Sequence, residues 1–535
     1  MLTKGELENS KKTIMQSEEI FNKLSDYSLR ILLLIKMIKA EIFIKMGKYD
    51  EALELLSLHE FNNIDEENIE NKILGRINNL KGKIFTDKGI LDKALDHYNE
   101  ALKYYSDTED IFDIAIIYNN MGIVFFYRAD LDKTIECFTK GLELRKSLGN
   151  KKDIAASLHN IGAVFYRKGQ LDEALKNYEL ALDLEKENGN KQDIAHSYVN
   201  IGLIYQSKGL LDKALEYNNS AVELYQEYDN IQDTAIVYNN IGLIYDYKGL
   251  LDKAEEYHLK SLDLKLQLGN KSLTSSSYGN LGMTYFFKGY LDKAEEFLLK
   301  AVSDAEEMEN IVLITEALYW LIRVYLENNK RDLARNLLKK LNEIAEKEEY
   351  ENVKLLYRLS NALIYLSYSR IKYLGKAQKL LEEIIEEKVI DFDYTTIALF
   401  NLCELNLLEL KISEDPKTLL ETKKYVELLF SHAQEESSFT LIVQALILRA
   451  KLELLENNID KAQTFLDDAM ITAFEHNLTA LKQIAKKEQD SLISQYQRLK
   501  ELVDKSATIS ERLELLQIKD YLTDVRKLSR TFSEA

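Results

Sequence analysis

The sequence predicts an all-α solenoid, a row of antiparallel helix pairs in which each pair touches only its neighbours. Two observations predict it. From Asn78 to Val302 one phrase recurs six times at a spacing of 40 residues. Tyr198-Val199-Asn200-Ile201-Gly202-Leu203-Ile204-Tyr205 returns as Tyr238-Asn239-Asn240-Ile241-Gly242-Leu243-Ile244-Tyr245, and one column holds Gly82, Gly122, Gly162, Gly202, Gly242 and Gly282. A fixed period of this size is the signature of repeat architectures. The second observation is that 535 residues contain a single proline, Pro416, so little in the chain breaks a helix. One globular core of this length would be unusual, whereas stacked repeats have no such ceiling.

Taken in order, residues 1–30 carry a ragged helical stripe (Ile14, Ile20, Phe21, Leu24, Leu29) and read as a polar-backed cap. A divergent repeat follows, with Ala40 in the glycine column, Phe43 in an aromatic column, and Gly47 before Tyr49-Asp50-Glu51-Ala52. Residues 61–69 read as an acidic, Asn-rich loop. Residues 1–71 thus form a cap plus one divergent repeat, and 72–310 the regular array.

Within a repeat, helix A is expected near Phe112 to Tyr127 and helix B near Leu131 to Lys146. The A–B turn holds Gly89, Gly169, Gly209, Gly249 and Gly289, with Ala129 as the exception. Glycine enters the left-handed region of a helix C-cap without steric penalty. Asp92, Asp132, Asp172, Asp212, Asp252 and Asp292 stand at the start of helix B, where a carboxylate is expected to cap free N–H groups. Gly149-Asn150, Gly189-Asn190 and Gly269-Asn270 are expected to close helix B. The mid-helix glycines cost about 1 kcal/mol each against alanine. Close approach of Ala174, Ala214, Ala254 and Ala294 on helix B is the expected compensation.

These columns resemble the tetratricopeptide repeat family. Tyr198, Ile201-Gly202, Tyr205, Ala214 and Ala221 sit on its signature positions, with Asn218 departing where the equivalents are Tyr98, Phe138 and Tyr178. The long period with Asn-Asn before Ile-Gly is similar to kinesin light chain and related peptide-binding members. The resemblance implies a right-handed superhelix, with helix A facing a concave groove. Residues 311–480 read as divergent repeats on Trp320, Tyr325, Ala334, Ala362, Tyr365, Ala377, Ala450, Ala462 and Ala469, with Pro416 opening or preceding a helix. Residues 481–535 read as two further helices. They act either as a cap or as a partner contact, homodimerisation included.

On the groove side implied by the resemblance, the column Asn120, Asn160, Asn200, Asn240 and Asn280 is a candidate ladder for the backbone of an extended peptide, since an amide both donates and accepts. Two other origins for the column are recent duplication and a structural bond to the neighbouring helix. Around it stand Asn119, Tyr127, His159, Arg167, His196, Asn239, Tyr247 and Phe287, a mixed apolar, aromatic and amide floor. Such a floor suits peptide anchors better than a basic clamp on a terminal carboxylate.

The composition narrows the function classes. A net charge of −19 argues against nonspecific nucleic-acid or anionic-membrane binding. Cys137 and Cys403 form no disulfide framework, and no apolar run spans a bilayer, which suggests a cytoplasmic protein. No phosphate loop, dinucleotide fingerprint, nucleophile elbow or close metal-ligand pair is present, so neither catalysis, cofactor nor metal is expected. The expectation is a non-enzymatic scaffold or adaptor for protein or peptide ligands. The alternative is a regulatory sensor whose superhelix changes shape when peptide binds.

Overall fold

The computed structural model describes residues 29–57, 71–106, 110–269, 271–308, 310–347, 351–368, 371–386, 392–435, 438–476, 478–504, 507–518 and 521–522. The expected cap in residues 1–28, the loop at 61–69, Asn270 and the chain after 522 lie outside them. The described residues hold helices and no strand. In chain order these are α1 (Leu29–Lys45), α2 (Tyr49–Leu55), α3 (Asn71–Asp87), α4 (Leu91–Ser106), α5 (Ile111–Tyr127), α6 (Leu131–Leu148), α7 (Lys151–Arg167) and α8 (Leu171–Asn188). Next come α9 (Lys191–Ser207), α10 (Leu211–Glu227), α11 (Ile231–Tyr247), α12 (Leu251–Leu268), α13 (Lys271–Phe287), α14 (Leu291–Glu307), α15 (Ile311–Glu327) and α16 (Arg331–Lys347). The row ends with α17 (Glu351–Leu366), α18 (Ile371–Glu386), α19 (Phe392–Ser413), α20 (Pro416–Glu435), α21 (Phe439–Leu455), α22 (Ile459–Glu475), α23 (Thr479–Asp504) and α24 (Ile509–Leu515). Odd-numbered helices are the A helices. Pro416 opens α20, where its missing N–H costs nothing.

The chain divides into two compact units, residues 1–165 with 176–189, and residues 166–175 with 190–535. In each, successive A helices touch: α1 with α3 and α3 with α5 in the first; α11, α13, α15, α17 and α19 in succession, and α21 with α23, in the second. Among the described residues no pair of successive B helices makes comparable contact. The A helices therefore line the inner side of the local curvature.

The glycine column has a different cause from the one expected. A Cβ on Gly82 would lie 2.6 Å from the Tyr98 ring, on Gly162 2.7 Å from Tyr178, and on Gly242 2.6 Å from His258. The group that demands the gap is the helix-B side chain 16 residues on, and the helix-B alanine is secondary. Tyr98 and Tyr178 are 1% and 4% exposed. Burying a large side chain gains about 1.5–3 kcal/mol, which outweighs the roughly 1 kcal/mol that a helical glycine costs.

The turn glycines Gly47, Gly89, Gly169, Gly209, Gly249 and Gly289 have φ between 70° and 79°. Ala129 adopts φ 57° in the same slot. A left-handed L-residue costs about 1–2 kcal/mol, and glycine gives back about 0.5–1 in chain entropy. Ala129→Gly is expected to raise stability by about 0.5–1 kcal/mol, visible as a higher urea midpoint at unchanged slope. At Gly209 a second constraint applies. The start of α21 returns to this turn within the second unit, and Thr440 fills the space a Cβ would need. Beside it Phe439 stacks on His476 with centroids 3.4 Å apart.

The helix-B aspartates are not N-caps. The helices begin at Leu91, Leu131, Leu171, Leu211, Leu251 and Leu291, so each aspartate is the second helical residue. Leu210, Leu250 and Tyr290 hold the cap position without a side-chain bond. The carboxylates instead reach the cation that ends helix A of the following repeat. Lys248 meets Asp212 at 2.7 Å, Lys288 meets Asp252 at 2.6 Å, Arg128 meets Asp92 and Lys208 meets Asp172, each 36 residues apart. Asp92, Asp172, Asp212 and Asp252 are 68–95% exposed, so each pair contributes no more than about 1 kcal/mol and serves mainly to fix register. Side-chain caps stand before helix A and, in one B helix, at Asp130, which accepts from Lys133 N–H at 3.2 Å. Asn190 accepts from Gln192 N–H at 3.1 Å, Asn230 from Asp233 N–H at 3.1 Å and Asn310 from Leu313 N–H at 3.2 Å. Gly149, Gly189 and Gly269 close helix B with φ 64–74°, while the asparagines Asn150 and Asn190 cap the next helix.

Candidate functional site

In the first unit the Asn column joins A helix to A helix. Asn120 Nδ2 donates to Asn79 Oδ1 at 2.9 Å, and Asn160 Nδ2 donates to Asn119 Oδ1 at 2.7 Å. Both donors are half-buried. An amide has two N–H groups and two lone pairs, so each of these bonds uses one of the donor's four hydrogen-bonding positions. A structural bond and partial exposure therefore coexist on one residue. Tyr127 stands two helical turns further, 62% exposed. His159 turns toward helix B, where Nε2 meets Glu185 Oε1 at 2.9 Å and the ring tilts against Tyr178.

In the second unit the face changes along its length. Over α9 it is open: His196 is exposed, Asn200 half-buried and Leu203 36% exposed. His196 Nδ1 bonds the Tyr225 hydroxyl at 2.9 Å, which fixes its ring edge-on. Arg167 is exposed, and Asn240 and Tyr247 are half-buried. From α11 onward the face closes. Asn239 is 0% exposed, Asn280 2%, Leu243 5% and Met283 1%. These residues do not present a floor to a ligand, contrary to the expectation for Asn239 and Asn280. Asn280 Nδ2 donates to Asn239 Oδ1 at 2.9 Å. The reason for the closure is the packing of α13 on α11 and of α15 on α13. Phe287, expected at the groove, is half-buried, with its ring edge-on to Trp320 at 5.6 Å. The Arg323 guanidinium lies 4.3 Å from the Trp320 centroid and 5.1 Å from that of Phe286.

Beneath this closed face lies a polar cluster that motif reading missed. His258 occupies the helix-B column of Tyr98 and Tyr178 and is fully buried. Its Nδ1 meets Asn239 Oδ1 at 3.0 Å, its Nε2 meets Asp246 Oδ2 at 3.0 Å, and the Thr284 hydroxyl donates to the same carboxylate at 3.0 Å. In the first unit the equivalent pair is Thr86 with the Tyr98 hydroxyl at 3.2 Å. The signal was present in the sequence as a joint change: where Tyr98 becomes His258, Thr86 becomes Asp246. Among the described residues no group of three His, Cys, Asp or Glu side chains is arranged to hold a metal ion. No described helix is long and apolar enough to cross a membrane. Cys137 and Cys403 are both free and buried.

The tetratricopeptide repeat family model matches residues 113–187, 153–227, 193–267 and 233–307. No curated protein matches the chain in sequence. Among solved structures, aspartyl phosphate phosphatase F from Bacillus subtilis is 15% identical, with a TM-score of 0.47 over 63% of this chain and 89% of its own. A Rap protein complexed with competence and sporulation factor is 16% identical, with a TM-score of 0.41 over 63% and 94%. A putative kinesin light chain from Podosopora anserina with nearly identical repeats is 18% identical, with a TM-score of 0.32 over 36% and 94%.

Proposed function

The chain is a tetratricopeptide repeat protein across residues 113–307, and from that premise we propose that it is a non-enzymatic cytoplasmic scaffold that holds extended peptide segments of partner proteins on its open A-helix faces. The observation that carries this reading is the combination on α5 of a half-buried asparagine with spare polar capacity, Asn120, and an exposed aromatic, Tyr127. The first offers backbone hydrogen bonds and the second an apolar anchor, the two ingredients of groove recognition. The α9 face repeats the theme with Asn200 and Leu203. Asn119, Asn160, His159, Arg167, His196, Asn240 and Tyr247 flank these anchors in the proposal. Asn239, Asn280 and Phe287 act from below, as supports.

The test is selection of a displayed random-peptide library on the whole protein, followed by affinity measurement on Tyr127→Ala and Leu203→Ala variants. Both positions are exposed, so folding is expected to be unchanged. An aromatic or aliphatic anchor truncated at the centre of an interface costs about 1–2 kcal/mol or more, so the selected peptides should lose about tenfold in affinity on at least one variant. Asn→Ala variants are the poorer probe, because Asn120 and Asn160 also carry an inter-helix bond. Peptides that bind both variants as they bind the natural protein would count against these faces.

A further inference from the structure

The end of the described chain does not extend the stack. α24 follows the A helix α23 and stands where a B helix belongs. A B helix packs on its own A helix and on the next pair. α24 instead packs on α23 and on α19, the A helix two pairs earlier. Beyond it Leu516, Ile518, Tyr521 and Leu522 are buried in the core of the second unit.

The polar contacts of this segment go to A helices. Lys451 Nζ of α21 donates to the Leu516 carbonyl at 3.1 Å and to Glu488 Oε2 of α23 at 2.7 Å. The Tyr521 hydroxyl donates to the Gln444 carbonyl of α21 at 2.8 Å. Lys411 of α19 pairs with Glu514 at 2.5 Å. Residues 509–518 with 521–522 thus cross three successive A helices on the inner side of the curvature.

We propose that this inner face is a peptide-binding surface and that residues 509–518 with 521–522 occupy it in cis. The partner it fits is a segment of another protein with the same chemistry. That segment places a carboxylate opposite Lys411 and a backbone carbonyl on Lys451, followed by buried aliphatic side chains and a tyrosine hydroxyl for Gln444. Two features make the occupant exchangeable. α24 itself contributes no fully buried residue. The burial of the four apolar residues beyond it is offset by the conformational entropy of ordering the whole segment, a term of similar size. Lys451 is a natural sensor of occupancy. Burial pulls its pKa below the ordinary lysine value, with Glu488 opposing, and the tail carbonyl supplies one of the acceptors its ammonium needs. This surface is independent of the open faces of α5 and α9.

The test uses the full chain and a fluorescein-labelled synthetic peptide with the sequence of residues 507–526. A tethered segment competes at an effective concentration near the millimolar range. The natural protein should therefore bind the peptide weakly. A full-length Leu516→Asp/Tyr521→Ala variant, whose own segment is expelled, should bind it about tenfold or more tightly. In that variant Lys411→Glu should weaken binding, and a peptide carrying Glu514→Lys should restore it. Equal affinity for natural and variant chains would overturn the proposal. So would loss of helicity in the variant by circular dichroism, which would make the segment an integral part of the core.

Discussion

His258→Ala is expected to destabilise the α11–α14 region by about 1–3 kcal/mol or more, the cost of taking a hydrogen-bond partner away from buried polar groups. His258 and Asp246 are both within 1% of full burial. With the imidazole gone, Asp246 loses its contact with Nε2, and Asn239 loses the ring that its oxygen faces. Hydrogen exchange across 231–307 would show the loss directly, because repeat arrays open locally before they open globally. The natural alternative stands in the same chain. Asp246→Thr with His258→Tyr would install the pair found at Thr86 and Tyr98. The double variant should recover most of the protection, while His258→Tyr alone should not, since it leaves the carboxylate without its ring partner. Equal behaviour of the single and double variants would mean that the two columns are not coupled.

Gly162→Ala is expected to destabilise by about 1–2 kcal/mol net, although alanine is the better helix former by about 1 kcal/mol. The added methyl would sit 2.7 Å from the Tyr178 ring. Overpacking of this kind costs about 1–3 kcal/mol, and a ring pinned between two helices has little room to retreat. The decisive measurement is a double-mutant cycle with Tyr178→Ala, read by urea midpoint or by exchange in α7. Once the ring is removed, Gly162→Ala should become stabilising, so the sign of the substitution inverts between the two backgrounds. An alanine that destabilises both equally would place the cause in the backbone.

Much of the fold was legible because each repeat repeats its own evidence. The period located α3 to α14, and the expected Phe112–Tyr127 and Leu131–Lys146 fall within two residues of α5 and α6. Ala129 was legible as the exception and does take the left-handed conformation. What the period could not give was the partner of each side chain. Asp212 reads locally as a cap, because a carboxylate at a helix start suits the dipole. Its ion pair with Lys248 depends on how the next repeat is set down. The glycines announced close packing, yet the residue that needs the space lies 16 positions away. The candidate face was legible as a column and not as a surface. Asn120 and Asn280 share that column, but one stays half-exposed while the other is sealed by α15 against α13. The C-terminal half was the least legible, because without a repeated phrase there is no internal comparison to separate core from face.

The ion pairs that join Lys248 to Asp212 and Lys288 to Asp252 have an evolutionary corollary. Every such bond connects equivalent places in adjoining repeats, so none is specific to one pair. Excising residues 191–230 would bring Lys248 to the same separation from Asp172 that it now has from Asp212. Each cap, turn and inter-repeat bond would find an equivalent mate. Unequal recombination between such similar segments of the coding sequence could therefore lengthen or shorten this array by whole 40-residue steps without a junction to repair. The decayed C-terminal helices have lost that interchangeability. There the number of helices is fixed, and innovation must come from point substitution.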